Sequence, residues 1–403
     1  MKTARLYYDD SHLMEFEARV VDVRETADHR RAVVLDRTAF YPTGGGQPSD
    51  TGTLDGARIV ECIDEGDVIL HVIQEGDLLP GQQIIGRVDR ARRLEHMQQH
   101  TAQHILSQAL WRLFGAETRG FRIMDRCSEI DVALDQPTDE RIAQAVGLAN
   151  EIVWQDRPIK IDYVSAEEAS RLALRREPTR SGTLRIVEIE EFDVTPCGGT
   201  HARRTGEIGI IFVRSWERAK RMTRLRFVAG VRALRDYEAL NRAAERVASM
   251  LSSEREMIAH RLERWIEEHQ ALAKRVRELE EQRAASEAAV LCERASARAD
   301  GTKVVAHLFR NEDIEALKRL ARAVASRPRT IALLAVHDGE SMHVAFARSA
   351  DLNDDMSALV RRACAQIGGR GGGRAEFAQG GGLCTEEKAR DLLDSLAREL
   401  VAK

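Results

Sequence analysis

Residues 1–90 carry short β-branched segments such as RAVVLD and ARIVECI, separated by Gly, Pro and Asp. That alternation predicts strands. A glycine-rich loop, YPTGGGQPSDTG, interrupts them. Its glycines permit positive φ and close backbone approach. Residues 91–234 mix helical and strand periods. Arg92 to Phe114 has helical spacing with no internal Gly or Pro, and Pro137 and Thr138 precede a second helical stretch, Asp139 to Trp154. LRIVEIE and EIGIIFV read as strands, with the turn-rich TPCGGTHARRTG between them. In residues 235–298 Gly and Pro vanish and charge becomes dense. Leu240, Val247, Leu251, Ile258, Leu262, Leu272, Val276 and Leu279 fall mostly three, four or seven residues apart, which predicts a helical hairpin or coiled coil. Residues 299–403 return to a small α/β pattern, with TIALLAVHD and MHVAFARSA as strands and a second glycine-rich stretch, IGGRGGGRAEFAQGGG. The fold class expected is α+β.

Composition narrows this only a little. The 403 residues suit two or three domains, and 43% hydrophobic with 31% charged residues is ordinary for a soluble protein. No apolar run approaches the roughly 20 residues that span a bilayer. The N-terminus lacks the apolar core of a signal peptide, so a cytoplasmic location and no membrane partner are expected. Cys62, Cys127, Cys197, Cys292, Cys364 and Cys384 are scattered and read as free thiols or metal ligands. A net charge of −4 argues against binding nucleic acid by bulk charge alone. Local basic clusters remain at Arg87, Arg90, Arg92 and Arg93, at Arg175 and Arg176, and from Arg218 to Arg226.

The strongest chemistry lies in two short motifs. HTAQH places His100 and His104 on one helix face, and CGGTH places Cys197 and His201 around two glycines. Together they offer three nitrogens and one sulfur, a set suited to zinc. His96, four residues before His100, reads as a neighbour rather than a fifth ligand. Four protein ligands leave open whether zinc would activate water or only organise the site, because catalytic zinc usually keeps an open position.

Three stretches now carry a resemblance: HTAQHILSQAL, EFDVTPCGGTHARRTGEIG and DRTAFYPTGGGQPSDTG. The chain resembles the free-standing alanyl-tRNA editing proteins of AlaX type, in their long form, and the editing and C-terminal domains of alanyl-tRNA synthetase. The resemblance implies an N-terminal β-barrel over 1–90, a two-layer α/β zinc-binding editing domain over 91–234, a helical arm over 235–298 and a glycine-rich C-terminal domain over 299–403. It implies deacylation of mischarged tRNA(Ala), with Ser-tRNA(Ala) ahead of Gly-tRNA(Ala) and one zinc on His100, His104, Cys197 and His201. It places Thr38, Gly45, Gln47 and Asp131 at the substrate, and Arg370 and Arg374 at the tRNA. It implies tRNA contact or a homodimer through the arm or the C-terminal domain. Two stretches depart from the pattern. Phe121-Arg122-Ile123-Met124 stands where relatives commonly carry Phe-His-Leu-Gly, and AKRMTRLRF stands where they usually carry glycines.

No Ser-His-Asp elbow is visible, so no covalent nucleophile is expected and no catalytic residue is assigned. Nothing before the barrel would supply an ATP-dependent aminoacylation domain, so ligation is not expected. Two alternatives stand beside editing of tRNA(Ala): a zinc-stabilised tRNA-binding protein without activity, and editing of another mischarged tRNA such as Ser-tRNA(Thr).

Overall fold

The computed structural model describes residues 2–175 and 182–403. Arg176, one of the basic-cluster residues, lies outside them. The chain divides into two compact units, Met1–Arg246 and Val247–Lys403.

The first unit begins with β1 (Ala4–Arg5), β2 (Glu15–Glu25), β3 (Arg31–Leu35), β4 (Arg37–Thr38), β5 (Gly52–Leu54), β6 (Ala57–Asp64), β7 (Ile69–Glu75) and β8 (Gln83–Val88). Six of these close into a barrel in the order β2-β3-β7-β6-β5-β8. Strict alternation on β2 sends Phe16, Ala18 and Val20 inward, where they meet Val33, Phe40, Leu54, Ile69 and Ile84. Closure leaves the barrel no free edge.

Helix α1 (Arg90–Phe114) follows. It starts two residues earlier than its apolar spacing predicts, because the Asp89 carboxylate caps it by accepting from the N–H groups of Ala91 and Arg92. Its first turn is fastened to the barrel by Arg93. That guanidinium and the Asp50 carboxylate are both fully buried and paired, and Arg93 also donates to the carbonyls of Ser11 at 2.7 Å and Ala39 at 2.5 Å.

Then come β9 (Thr118–Ile123), β10 (Ser128–Val132), α2 (Asp139–Trp154), β11 (Ile159–Val164), the single turn α3 (Ala166–Ala169), β12 (Leu184–Ile189), β13 (Asp193–Pro196), β14 (Ile211–Ala219) and β15 (Met222–Ala229). They form a four-stranded sheet, β14-β15-β10-β9, and a three-stranded one, β11-β12-β13. Ile105, Leu106 and Ala109 of α1 pack with Ile142, Ala145 and Ile152 of α2 and with Ile130, Leu225 and Phe227 of the larger sheet. Helix α2 spans the residues its pattern predicts, capped by Thr138.

The helical stretch forms α4 (Gly230–Met250) and α5 (Ile258–Glu293). The second unit then adds β16 (Ser296–Ala297), β17 (Lys303–Arg310), α6 (Ile314–Ala325), β18 (Thr330–His337), β19 (Ser341–Arg348), α7 (Met356–Gln366), β20 (Arg370–Gly373), β21 (Phe377–Leu383) and α8 (Glu386–Val401). Its sheet runs β16-β17-β18-β19-β21-β20. Every residue of β18 is buried. Ile331 and Leu333 face α7 and α8, while Ala332 and Leu334 face α6 and the end of α5. The glycines of β20 and β21 let α7 close on the sheet: a Cβ on Gly371 would lie 2.4 Å from Val360 Cγ1, and one on Gly380 2.6 Å from Cys364 Sγ. Among the described residues, no helix is long and apolar enough to cross a membrane.

Candidate metal centre

Helix α1 buries an unusual number of polar side chains: His96, Gln99, His100, Thr101, Gln103, His104 and Ser107. Such a stripe inside a protein needs partners or a function. His100 and His104, one turn apart, face the loop that leaves β13 with Cys197 and His201. The Cys197 sulfur lies 3.4 Å from His100 Nε2 and 3.3 Å from His201 Nε2. The donor atoms of all four residues lie within 4.8 Å of one another. They form a group able to hold one metal ion, and three imidazoles with a thiolate suit zinc. The motif needs its second glycine, since a Cβ on Gly199 would lie 2.2 Å from His100 Cε1.

Each imidazole is held by its other nitrogen. Gln47 donates its Nε2 hydrogen to Thr200 Oγ1 at 2.8 Å, which leaves Gln47 Oε1 to accept from His100 Nδ1 at 2.7 Å. His104 Nδ1 donates to Asp193 Oδ2 at 3.3 Å. Thr101 Oγ1 lies 3.3 Å from His201 Nδ1. These contacts on Nδ1 keep Nε2 of His100 and His104 available as donors to a metal, the usual work of residues behind metal ligands. Asp193 is itself fixed by Arg175, at 2.8 and 3.1 Å, and by the Thr195 hydroxyl at 3.0 Å.

The charges agree with this arrangement at Cys197 and His201, whereas at His104 burial disfavours the cation but Cys197 and Asp193 outweigh it and raise its value. Burial pushes the Cys197 thiol up, but His100, His201 and His104 together hold it well below its ordinary value. Burial holds His201 down at about 3. Burial also disfavours the Asp193 carboxylate, yet His104 and Arg175 overcome that and keep it at about 2. A thiolate and a neutral imidazole are the forms that bind a metal.

A cavity of about 580 Å³ opens beside Cys197 and His100. Tyr8, Tyr41, Gly44, Gly45, Tyr163 and Arg185 are among the residues that line it.

The alanyl-tRNA editing protein AlaX-L of Pyrococcus horikoshii is 31% identical to this chain over 405 residues, covering 98% of each. The chain belongs to the AlaX-L family of alanyl-tRNA editing proteins. Family models match the second additional domain of threonyl and alanyl tRNA synthetases over residues 184–226, class II (A) tRNA synthetases over 2–92 and the DHHA1 domain over 301–402. Alanine–tRNA ligases of Pyrobaculum calidifontis and Archaeoglobus fulgidus are 34% and 33% identical over 94% of the chain. The chain spans only 42% of the length of each ligase.

Several residues of this AlaX-L chain stand elsewhere than the resemblance implies. Thr38 does not line the cavity. It is fully buried in the barrel, its hydroxyl 2.8 Å from His71 Nε2. Gln47 is close to the centre, and both ends of its amide are taken by His100 and Thr200. Asp131 points to the opposite face of the sheet from Ile130 and is paired with Arg224 at 2.7 and 3.0 Å. That guanidinium holds its carboxyl below the usual range. Gly45 does line the cavity.

The altered segment splits along the same alternation. The Phe121 ring lies 5.2 Å from that of His100, while Arg122 pairs with Glu129 at 2.6 Å on the outer face. The His-to-Arg departure from relatives therefore faces away from the metal donors. His96 is buried outside the donor group. The basic clusters are largely spent internally: Arg93 on Asp50, Arg175 on Asp193, and Arg224 and Arg226 on Asp131 and Glu129. Asp193, Thr101 and Arg175 are functional neighbours that the motifs alone do not disclose. One signal was present, since strand alternation puts Asp193, Thr195 and Cys197 on one side of DVTPC.

Proposed function

We propose that this chain is a trans-editing hydrolase that deacylates mischarged tRNA(Ala), Ser-tRNA(Ala) first and Gly-tRNA(Ala) second, with one zinc on His100, His104, Cys197 and His201. The observation that carries this reading is the buried three-nitrogen, one-sulfur donor group at the wall of an open cavity, in a chain matching an AlaX-L protein end to end. Bound zinc would polarise the ester carbonyl or acidify a water. The protein's own work is to fix the donors through Gln47, Asp193 and Thr101 and to hold the ester against them. Rejection of alanine follows from hydrogen bonds that only a serine hydroxyl can make, because alanine leaves those groups unmet.

Each region has its own part in this reaction, with the barrel over 1–90, editing over 91–234, the arm over 235–298 and a C-terminal tRNA-binding or dimerising domain over 299–403. Arg370 and Arg374 support the tRNA role. Both are exposed at the ends of β20, and neither has an ion-pair partner among the described residues. A homodimer through the arm or the C-terminal domain belongs to this reading, as does work in the cytoplasm.

The test is a panel of mischarged tRNAs, including Ser-tRNA(Thr), assayed with and without a chelator. Ser-tRNA(Ala) should be cleared fastest and the chelator should suppress it. A second reading, zinc-stabilised tRNA binding without hydrolysis, is favoured by the closed set of four protein donors. It prevails if zinc is bound and no tRNA in the panel is deacylated above buffer.

A further inference from the structure

The loop that carries two of the metal donors is shaped by side chains. From Gly199 to Arg203, consecutive N–H groups each donate to a different side chain: Gly199 to Cys197 Sγ at 3.4 Å, Thr200 to Gln47 Oε1 at 3.4 Å, His201 to Ser11 Oγ at 3.2 Å, Ala202 to Thr101 Oγ1 at 3.2 Å and Arg203 to Glu207 Oε1 at 3.1 Å. Separate acceptors therefore set the course of this backbone, where a strand or helix would use its own carbonyls. Cys197 and Glu207 lie in the same connection between β13 and β14. Gln47 and Thr101 already stand behind His100 and His201. Ser11 comes from elsewhere in the chain, and it serves the amide of a donor residue itself.

Ser11 belongs to a short segment between β1 and β2 that is tied down residue by residue. The Tyr8 carbonyl accepts from Arg185 Nε at 3.1 Å, Asp9 accepts from the Tyr163 hydroxyl at 3.1 Å, Asp10 pairs with Arg203 at 3.1 Å and His12 Nε2 lies 3.0 Å from Glu207 Oε2. Arg185 in turn donates to the carbonyls of Cys197 at 2.6 Å and Gly199 at 3.1 Å. Within this segment Ser11 is buried, and its carbonyl accepts from Arg93 Nη1 at 2.7 Å in the first turn of α1. One residue thus joins the helix bearing His100 and His104 to the loop bearing Cys197 and His201, by its carbonyl on one side and its hydroxyl on the other. A metal on four protein donors needs both pairs at a fixed separation. A buried N–H left without its acceptor is costly and would let the loop shift.

We infer that Ser11 is a positioning residue for the metal centre, and that Tyr8–His12 is a strap which holds the Cys197–His201 loop in register with His100 and His104; this rests on the zinc reading above and not on the substrate. The hydroxyl acts through the His201 backbone and touches no donor atom. Ser11→Ala keeps the carbonyl on Arg93 and removes only the acceptor for His201, so α1 stays fastened while the loop loses one of its holds.

The test is zinc affinity, measured on the full chain by competition with a chelator. Ser11→Ala should bind zinc about tenfold more weakly, a loss typical of residues behind metal ligands. Ser11→Thr keeps the oxygen and should stay within about threefold of the wild type. Thr3→Val is the control for general destabilisation. It also removes a buried hydroxyl, one that donates to the Leu35 carbonyl at 2.8 Å in the barrel, and it should lower the denaturant midpoint with zinc affinity unchanged. His12→Ala, at the end of the strap, should weaken zinc by about threefold, less than Ser11→Ala because it acts through Glu207. Zinc binding as tight in Ser11→Ala as in the wild type overturns the inference, and so does an equal weakening in Thr3→Val. If Ser11→Ala does not fold, His12→Ala decides, and unchanged zinc affinity there overturns the strap. A wild type that binds no zinc fells the metal reading and the strap together, whereas tight zinc in both the wild type and Ser11→Ala fells the strap alone.

Discussion

Helix α1 is 25 residues long and buries seven polar side chains between His96 and Ser107, whereas α5 is 36 residues long and leaves Leu262, Trp265, Leu272 and Leu279 exposed. The two helices are about equally polar on average, so composition does not separate them. Partners do. On α1, Gln99 meets both the N–H and the carbonyl of Ala229, at 3.1 and 2.8 Å, and Gln103 donates to Ser107 at 2.9 Å. Most buried polar groups there are a cost repaid by a specific contact or by a place in the donor group, and His96, whose buried Nδ1 meets no hydrogen-bond partner among the described residues, is the exception. On α5 only Ala284, Ala288 and Cys292 are buried, at the end that meets α6. A polar stripe inside marks a site, and an apolar stripe outside marks a surface waiting for contact.

This contrast can be broken in four places. The largest effect is expected at the donors. Cys197→Ala should lose bound zinc and cut deacylation about a hundredfold or more, read by metal analysis and single-turnover hydrolysis. Next is the fastening of α1. Arg93→Ala strands the buried Asp50 carboxylate and should cost about 3–5 kcal/mol in a denaturant titration.

A smaller effect is expected from acid in the barrel. Burial holds His71 down at about 4. Between its unfolded value near 6.5 and 4, the unfolded chain takes up a proton that the folded chain refuses. Stability from this group is therefore complete above about pH 6.5, falls as pH drops, and is about 3 kcal/mol lower by pH 4. A pH series of Cm values, compared with His71→Gln, isolates that limb. The smallest effect is on α5, where Leu272→Gln with Leu279→Gln should change unimolecular stability by less than about 0.5 kcal/mol. A much larger loss, scaling with protein concentration, would show the stripe already buried between chains.

The residues differ in how far the sequence could disclose them. His100, His104, Cys197 and His201 were legible because ligand type and local spacing are properties of short segments. The barrel strands and α2 were legible from periodicity for the same reason. Gln47 stands near the site, its amide held between His100 and Thr200. Its partners, His100 and Thr200, lie 53 and 153 residues away in the chain, and no local pattern encodes such a pairing. The directions that the Thr38 and Asp131 side chains take, toward His71 and Arg224, were not legible either. Which face a strand residue takes depends on the register of its neighbours, and Arg224 claims Asp131 only once β15 lies beside β10.

The cysteines divide evenly between the two compact units, with Cys62, Cys127 and Cys197 in the first and Cys292, Cys364 and Cys384 in the second. Cys62 lies in the barrel core and Cys364 under the glycine strands. Neither sulfur can meet an alkylating reagent until the structure around it opens. The chain thus carries its own pair of unfolding clocks, and the order in which these two thiols become labelled would report which unit lets go first.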